Sequence, residues 1–185
     1  LFGKSYLLGT SMKNAITLFV LMFVNITFAQ FGTQVGEYNG VKAYSNGSVA
    51  FVSNEYNSYS GTNTGLKWQC VEYANRYYAQ VYNMNIRIVG QNANQYYTNA
   101  TQRGLLQRPN SGNIAPKAGD ILCASGGNEG FGHVAIIREV GYNYLRVIQQ
   151  NWSNNTSDNS MSLNYTSQNG SHSVSSFGSG YTIQG

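Results

Sequence analysis

No stretch constrains the fold of this chain more than residues 64–82, which read TGLKWQCVEYANRYYAQVY. A polar run rich in Gly, Asn and Ser ends at Gly65, and beyond Cys70 the apolar positions Val71, Ala74, Tyr78 and Val81 return at helical spacing. A helix therefore starts at or just before Cys70, with the thiol in its first turn. Unpaired backbone N–H groups and the positive end of the helix dipole favour a thiolate there, the form that a cysteine nucleophile uses. A buried structural cysteine is the plainer reading of one such residue, and the rest of the chain has to decide between the two.

The chain has 185 residues, enough for one domain with a moderate core. Met12 and Lys13 precede an apolar run from Ala15 to Phe23, and Thr27-Phe28-Ala29 supplies small residues of the kind a signal peptidase reads. Residues 1–29 are thus expected to be an upstream segment plus a secretory signal cleaved near Ala29, and residues 30–185 the single mature domain. That run is too short for a membrane span, so no stable membrane association is expected after cleavage. Export would leave the protein secreted or periplasmic. Without Lys4 and Lys13 the net charge of +4 falls to +2, too small a balance to argue for nucleic acid.

Only two cysteines, Cys70 and Cys123, and two histidines are present. An exported pair invites a disulfide, but the two cysteines occupy different settings: Cys123 shares a strand face with Ile121 and reads as a small buried hydrophobe. No C-x-x-C or H-x-x-x-H spacing occurs, so no metal site is expected. Asp120 reads as the anchor of the turn before that strand.

Residues 31–60 alternate short apolar pieces with Asn/Gly/Ser turns and read as short strands or loops. Residues 91–106 carry Ala93, Tyr96, Tyr97, Ala100 and Leu105 near helical spacing, which predicts a second helix packed on the first. A Gly-rich loop leads into His133 and the β-branched run to Val140, and a turn at residues 141–143 returns the chain through Tyr144 to Trp152. An antiparallel hairpin turning there pairs positions whose numbers sum to about 283. His133 is then level with residues 149–151, and period two puts Gln149 and Asn151 on one face, within reach of the imidazole. Beyond Ser153 the composition turns to Ser, Asn, Thr and Gly, with residues 161–165 and 181–183 as edge strands; His172 reads as exposed and uninvolved.

A thiol at a helix start, an imidazole on a strand and amides on the neighbouring strand together suit acyl transfer: thiolate attack on a carbonyl carbon, a histidine to move the proton, a polar group to orient the ring. Residues 65–73 (GLKWQCVEY), Gly119-Asp120, Gly132-His133-Val134-Ala135 and Gln150-Asn151-Trp152 occur in an order and spacing that resemble the CHAP family, the cysteine, histidine-dependent amidohydrolases/peptidases of the papain-like superfamily. The resemblance covers about residues 41–152. It implies an α+β, papain-like fold with N-terminal helices packed on a central antiparallel sheet, Cys70 as nucleophile, His133 as base, Asn151 orienting the ring, and no cofactor. Many family members carry an acid where this chain has Gln149; an amide orients a ring but adds no charge. Gln69 is a candidate oxyanion donor by adjacency to Cys70, beside the Cys70 N–H itself. Trp68 and Trp152 are candidates for substrate contact, with packing the plainer role.

Exported members of this family resemble peptidoglycan hydrolases, so the implied partner is peptidoglycan or its peptide stems, met by a monomer. Two alternatives stay open. The Lys-Trp-Gln-Cys-Val-Glu-Tyr string also looks like the amidase half of glutathionylspermidine-cleaving enzymes, and Gln149 suits an inactive wall-binding protein that keeps the fold.

Overall fold

The computed structural model describes residues 29–185, so the upstream segment and the apolar run of the expected signal lie outside the described residues. Two hairpins come first, β1 (Gln34–Tyr38) with β2 (Val41–Tyr44) and β3 (Tyr56–Tyr59) with β4 (Thr62–Leu66). Helix α1 (Cys70–Tyr82) follows. The remaining strands are β5 (Ile121–Gly126), β6 (His133–Val140), β7 (Tyr144–Ile148), β8 (Met161–Gln168), β9 (Ser171–Val174) and β10 (Tyr181–Ile183). They form an antiparallel sheet in the order β10-β5-β6-β7-β8-β9. Of the two expected edge strands, β10 is one, whereas β8 lies between β7 and β9. No helix among the described residues is long and apolar enough to cross a membrane.

The centre of the sheet is apolar on both faces. On β6, Val134 and Ile136 join Cys123, Ile148 and the α1 residues Tyr73, Ala74 and Tyr77 in one core, while Ala135 and Ile137 join Leu122, Leu145, Val147 and Leu163 in a second. Period two sends alternate side chains to opposite faces, so a run of β-branched residues suits a strand covered on both sides. Ile136 and Leu145 are fully buried, each contributing about 1.5–3 kcal/mol of transfer free energy.

The β6–β7 register matches the sequence reading closely. Ile136 pairs with Ile148 and Ile137 with Val147, and a bulge then shifts the pairing to Glu139 with Arg146. Gly132, just before β6, has φ +75°, and a Cβ there would meet Ala124 O at 2.5 Å and Asn94 N at 2.6 Å, a close approach that only glycine tolerates.

The expectation of several N-terminal helices is corrected. Among the described residues α1 is the single α-helix, and residues 91–106 hold two 3-10 turns, Ala93–Gln95 and Thr101–Arg103, instead of a second helix. Asn92 and Gln95 form a reciprocal capping box around the first turn, and Gly104 closes the second in a left-handed conformation. Asn and Thr side chains there compete for backbone partners, so apolar periodicity alone does not propagate a helix.

Candidate active site

Helix α1 delivers Cys70 at its first position, with Gln69 as the residue before it in extended conformation. Both cysteines are free thiols. Burial pushes the Cys70 thiol up, while the backbone at Val134, Val71 and Cys70 itself pulls it down. The helix start thus acts in the expected direction, but desolvation outweighs it. Val134 is the neighbour of His133, so the thiol lies against the first residues of β6.

His133 is 3% exposed. Its Nε2 lies 2.8 Å from Gln149 Oε1, while Gln149 Nε2 donates to Met161 Sδ at 3.1 Å. The amide oxygen therefore faces the ring, Nε2 carries the proton, and Nδ1 keeps a lone pair. Burial holds the imidazole down at about 4, with the Gln149 hydrogen bond acting the other way. Trp152 covers the ring at 4.9 Å between centroids, Phe177 meets it edge-on at 5.1 Å, and Tyr181 stands at 6.4 Å. Burial pushes the Tyr181 hydroxyl up, with Cys70 as the second cause.

Asn151 takes a different place from the one expected. Gln149 alone meets the ring; Asn151, with φ +54°, donates from Nδ2 to Gln69 Oε1 at 2.8 Å and accepts from Asn46 Nδ2 at 3.1 Å. Strand β7 ends at Ile148, and the left-handed residue that follows breaks the alternation which would have kept Asn151 on the face of Gln149. Gln69 completes this clamp by donating from Nε2 to Phe51 O at 3.1 Å. Asn46 Oδ1 in turn accepts from the Trp68 N–H at 3.3 Å. Trp68 packs on Tyr44 at 4.3 Å and on Phe31 at 6.4 Å, while Trp152 packs on the buried His133 ring.

A second group of polar residues was not anticipated from the sequence. Glu72 is fully buried, and its Oε1 accepts from Asn57 Nδ2 (2.9 Å), Thr64 Oγ1 (2.9 Å) and Arg76 Nε (2.7 Å). Its Oε2 accepts from Arg76 Nη2 (3.2 Å) and Gln150 Nε2 (3.0 Å). The i,i+4 spacing of Glu72 and Arg76 on a helix was a local signal for this pair; the partners on other strands had none. Further along, Asp158 accepts from the N–H groups of Ser153 and Asn154 and from Ser153 Oγ, fixing the loop that carries Trp152.

Other features stand apart from this site. Asp120 anchors its turn by accepting from the Lys117 N–H at 2.8 Å. Cys123 is buried with its thiol pushed up to about 12. His172 is half-buried rather than exposed, its Nδ1 2.7 Å from Tyr165 Oη and its ring stacked on Tyr165. A cavity of about 450 Å³, lined in part by Tyr96, Tyr97, Leu105, Cys123 and His172, includes neither Cys70 nor His133. Among the described residues no group of three or more His, Cys, Asp or Glu side chains comes together to hold a metal.

The arrangement offers a thiol at a helix start, a neutral imidazole whose tautomer is fixed by an amide, and an aromatic wall that keeps that contact dry. Residues 60–151, which include Cys70, His133, Gln149 and Asn151, match the family model described as CHAP domain. No curated protein matches the chain.

Proposed function

Because the chain belongs to the CHAP domain family, whose members are cysteine, histidine-dependent amidohydrolases or peptidases, we propose that it is a secreted amidase or endopeptidase that hydrolyses amide bonds in peptidoglycan. The observation that carries the reading is the His133 ring, held by Gln149 with Nε2 protonated and Nδ1 left as the base, beside the strand start against which Cys70 lies. In the reaction Nδ1 takes the thiol proton as Sγ bonds to the carbonyl carbon, and the Cys70 N–H, with the Gln69 amide as second candidate, stabilises the oxyanion. The imidazolium then protonates the leaving nitrogen, the C–N bond breaks and a thioester remains. Water, deprotonated by Nδ1, attacks the thioester; the acid leaves and the thiol recovers its proton. No cofactor enters these steps.

The peptidoglycan substrate is supported by the secretory signal read before Gln30 and by the likeness to exported members of the family. Purified peptidoglycan incubated with the mature protein under reducing conditions should release soluble fragments. Mass spectrometry of their new termini would distinguish a cut between muramic acid and the stem from one within the peptides. No release at any pH from 4 to 9 would overturn the reading. Gln149 in the position of an acid, together with the weak basicity of His133, favours one second reading, a wall-binding protein that keeps the fold without the activity.

Replacing Gln149 tests how the pair is poised. In the native protein burial lowers the imidazole and raises the thiol, so both are neutral at mildly acidic pH and alkylation of Cys70 by iodoacetamide should rise with pH. In Gln149→Glu a carboxylate beside Nε2 favours the imidazolium, raising the ring by about one to three pH units, and the imidazolium in turn favours the thiolate. Alkylation at pH 6 is then expected to be roughly tenfold faster or more, each pH unit being a factor of ten in the thiolate fraction. An unchanged pH profile would show that residue 149 does not set the ring's basicity.

A further inference from the structure

Gln149, Gln150 and Asn151 are consecutive, yet their side chains hold three different things, and the middle one touches neither the imidazole nor the Gln69 amide. Gln150 is fully buried with every hydrogen-bonding position filled. Its Oε1 accepts from the Tyr44 N–H and from Arg76 Nη2, both at 2.9 Å. Its Nε2 donates to Glu72 Oε2 at 3.0 Å and to the backbone oxygen of Gln69 at 3.2 Å. With both donors and both acceptors engaged, the amide cannot flip without losing bonds on each side.

The Gln69 oxygen matters because it belongs to the peptide unit that ends in the Cys70 N–H. The unit is planar, with C=O and N–H pointing in opposite directions, so whatever fixes one fixes the other. The same oxygen accepts the first bond of the helix, from the Tyr73 N–H at 3.2 Å, and Gln150 supplies a second donor from outside the helix. We propose that Gln150 is a positioning residue that locks the Gln69–Cys70 peptide plane and so aims the Cys70 N–H at the developing oxyanion. Glu72 and Arg76 act through it by holding its amide in one orientation. The proposal rests on the hydrolase reading above for the identity of the oxyanion.

A purely structural role for Gln150 is separated from a positioning role by moving the charge rather than removing it. In Glu72→Gln/Gln150→Glu the carboxylate at position 150 accepts from Arg76 and the Tyr44 N–H, and the amide at position 72 donates to it. Two bonds lack a counterpart: the donor to the Gln69 oxygen, and the bond from Arg76 Nη2 to the atom of residue 72 that has become an NH2, while Arg76 Nη2 keeps its acceptor at position 150. This double variant is expected to recover most of the melting temperature lost in Gln150→Met. Its kcat on soluble peptidoglycan fragments should stay roughly tenfold or more below the native value with KM within about twofold, less than the 10²–10³-fold of deleting an oxyanion donor. Iodoacetamide alkylation of Cys70, which needs no substrate, should keep a profile displaced to higher pH, since the Cys70 backbone also favours the thiolate. If kcat and the alkylation profile return together with the melting temperature, Gln150 is structural and the proposal is overturned. Native Cys70 that reacts no differently from the unfolded chain, with no fragments released, would overturn the hydrolase reading instead.

Discussion

Cys70→Ala is expected to lower fragment release from peptidoglycan by about 10⁴-fold or more, to the level left by binding and oxyanion contacts alone. The size follows from the chemistry: without Sγ no thioester forms, and water activated by Nδ1 would have to attack the far less reactive amide directly. His133 faces Gln149 through Nε2, and its remaining lone pair serves the nucleophile. The second cysteine supplies the internal control. Cys123 is buried in the sheet core, with its thiol pushed up to about 12, so at neutral pH it is neither nucleophile nor alkylation target. Cys123→Ala should leave the rate within twofold of native and cost about 1 kcal/mol of stability through the small cavity it leaves. Iodoacetamide should label one thiol in the native protein and none in folded Cys70→Ala. Hydrolysis that survives in Cys70→Ala, in protein free of contaminating hydrolase, would show that the nucleophile lies elsewhere.

The parts of the site that could be read from the sequence are those set by local periodicity. The helix start at Cys70 follows from a polar run meeting a 3.6-residue repeat, and the pairing of His133 with the residues near 149 follows from a turn at 141–143 and a period of two. The reading failed where those regularities stop. Strand β7 ends at Ile148, so the inference that Gln149 and Asn151 share a face extrapolated an alternation beyond the strand that produces it. The left-handed residue 151 turned its amide toward Gln69 instead. Residues 91–106 have apolar spacing suited to a helix, but the chain there forms two short 3-10 turns, the first opened by the Asn92–Gln95 capping box and the second closed by left-handed Gly104. Phe177 and Tyr181, which wall the imidazole, come from a Ser/Gly-rich tail with no chemical pattern of its own. Their place depends on β10 pairing with β5, a contact between distant parts of the chain.

The buried charges were the least legible feature and carry the largest expected effect on stability: Arg76→Met is expected to lower the unfolding free energy by about 3–5 kcal/mol. Arg76 is 4% exposed and links three parts of the chain: Nε and Nη2 hold Glu72 of α1 at 2.7 and 3.2 Å, Nη1 donates to Lys42 O of β2 at 2.7 Å, and Nη2 also reaches Gln150 Oε1 beyond β7. The guanidinium lies 5.5 Å from the rings of both Tyr44 and Tyr73. Methionine matches much of its apolar volume, so the loss comes less from packing than from Glu72, a fully buried carboxylate left without its counter-charge. The companion measurement is Glu72→Gln in the Arg76→Met background. If the unpaired carboxylate causes most of the damage, removing its charge should return at least about 1 kcal/mol, a coupling of the kind found between residues in direct contact. Urea unfolding reads both variants, with an unchanged m-value licensing the comparison. A fall of less than about 1 kcal/mol in Arg76→Met, or a double variant less stable than the single, would mean that the pair is tolerated rather than needed. A loss of the expected size would show that the hairpins β1–β2 and β3–β4 depend for their attachment to α1 on the charges that also orient Gln150. The geometry behind Cys70 would then be maintained by the same bonds that hold the N-terminal half of the domain in place.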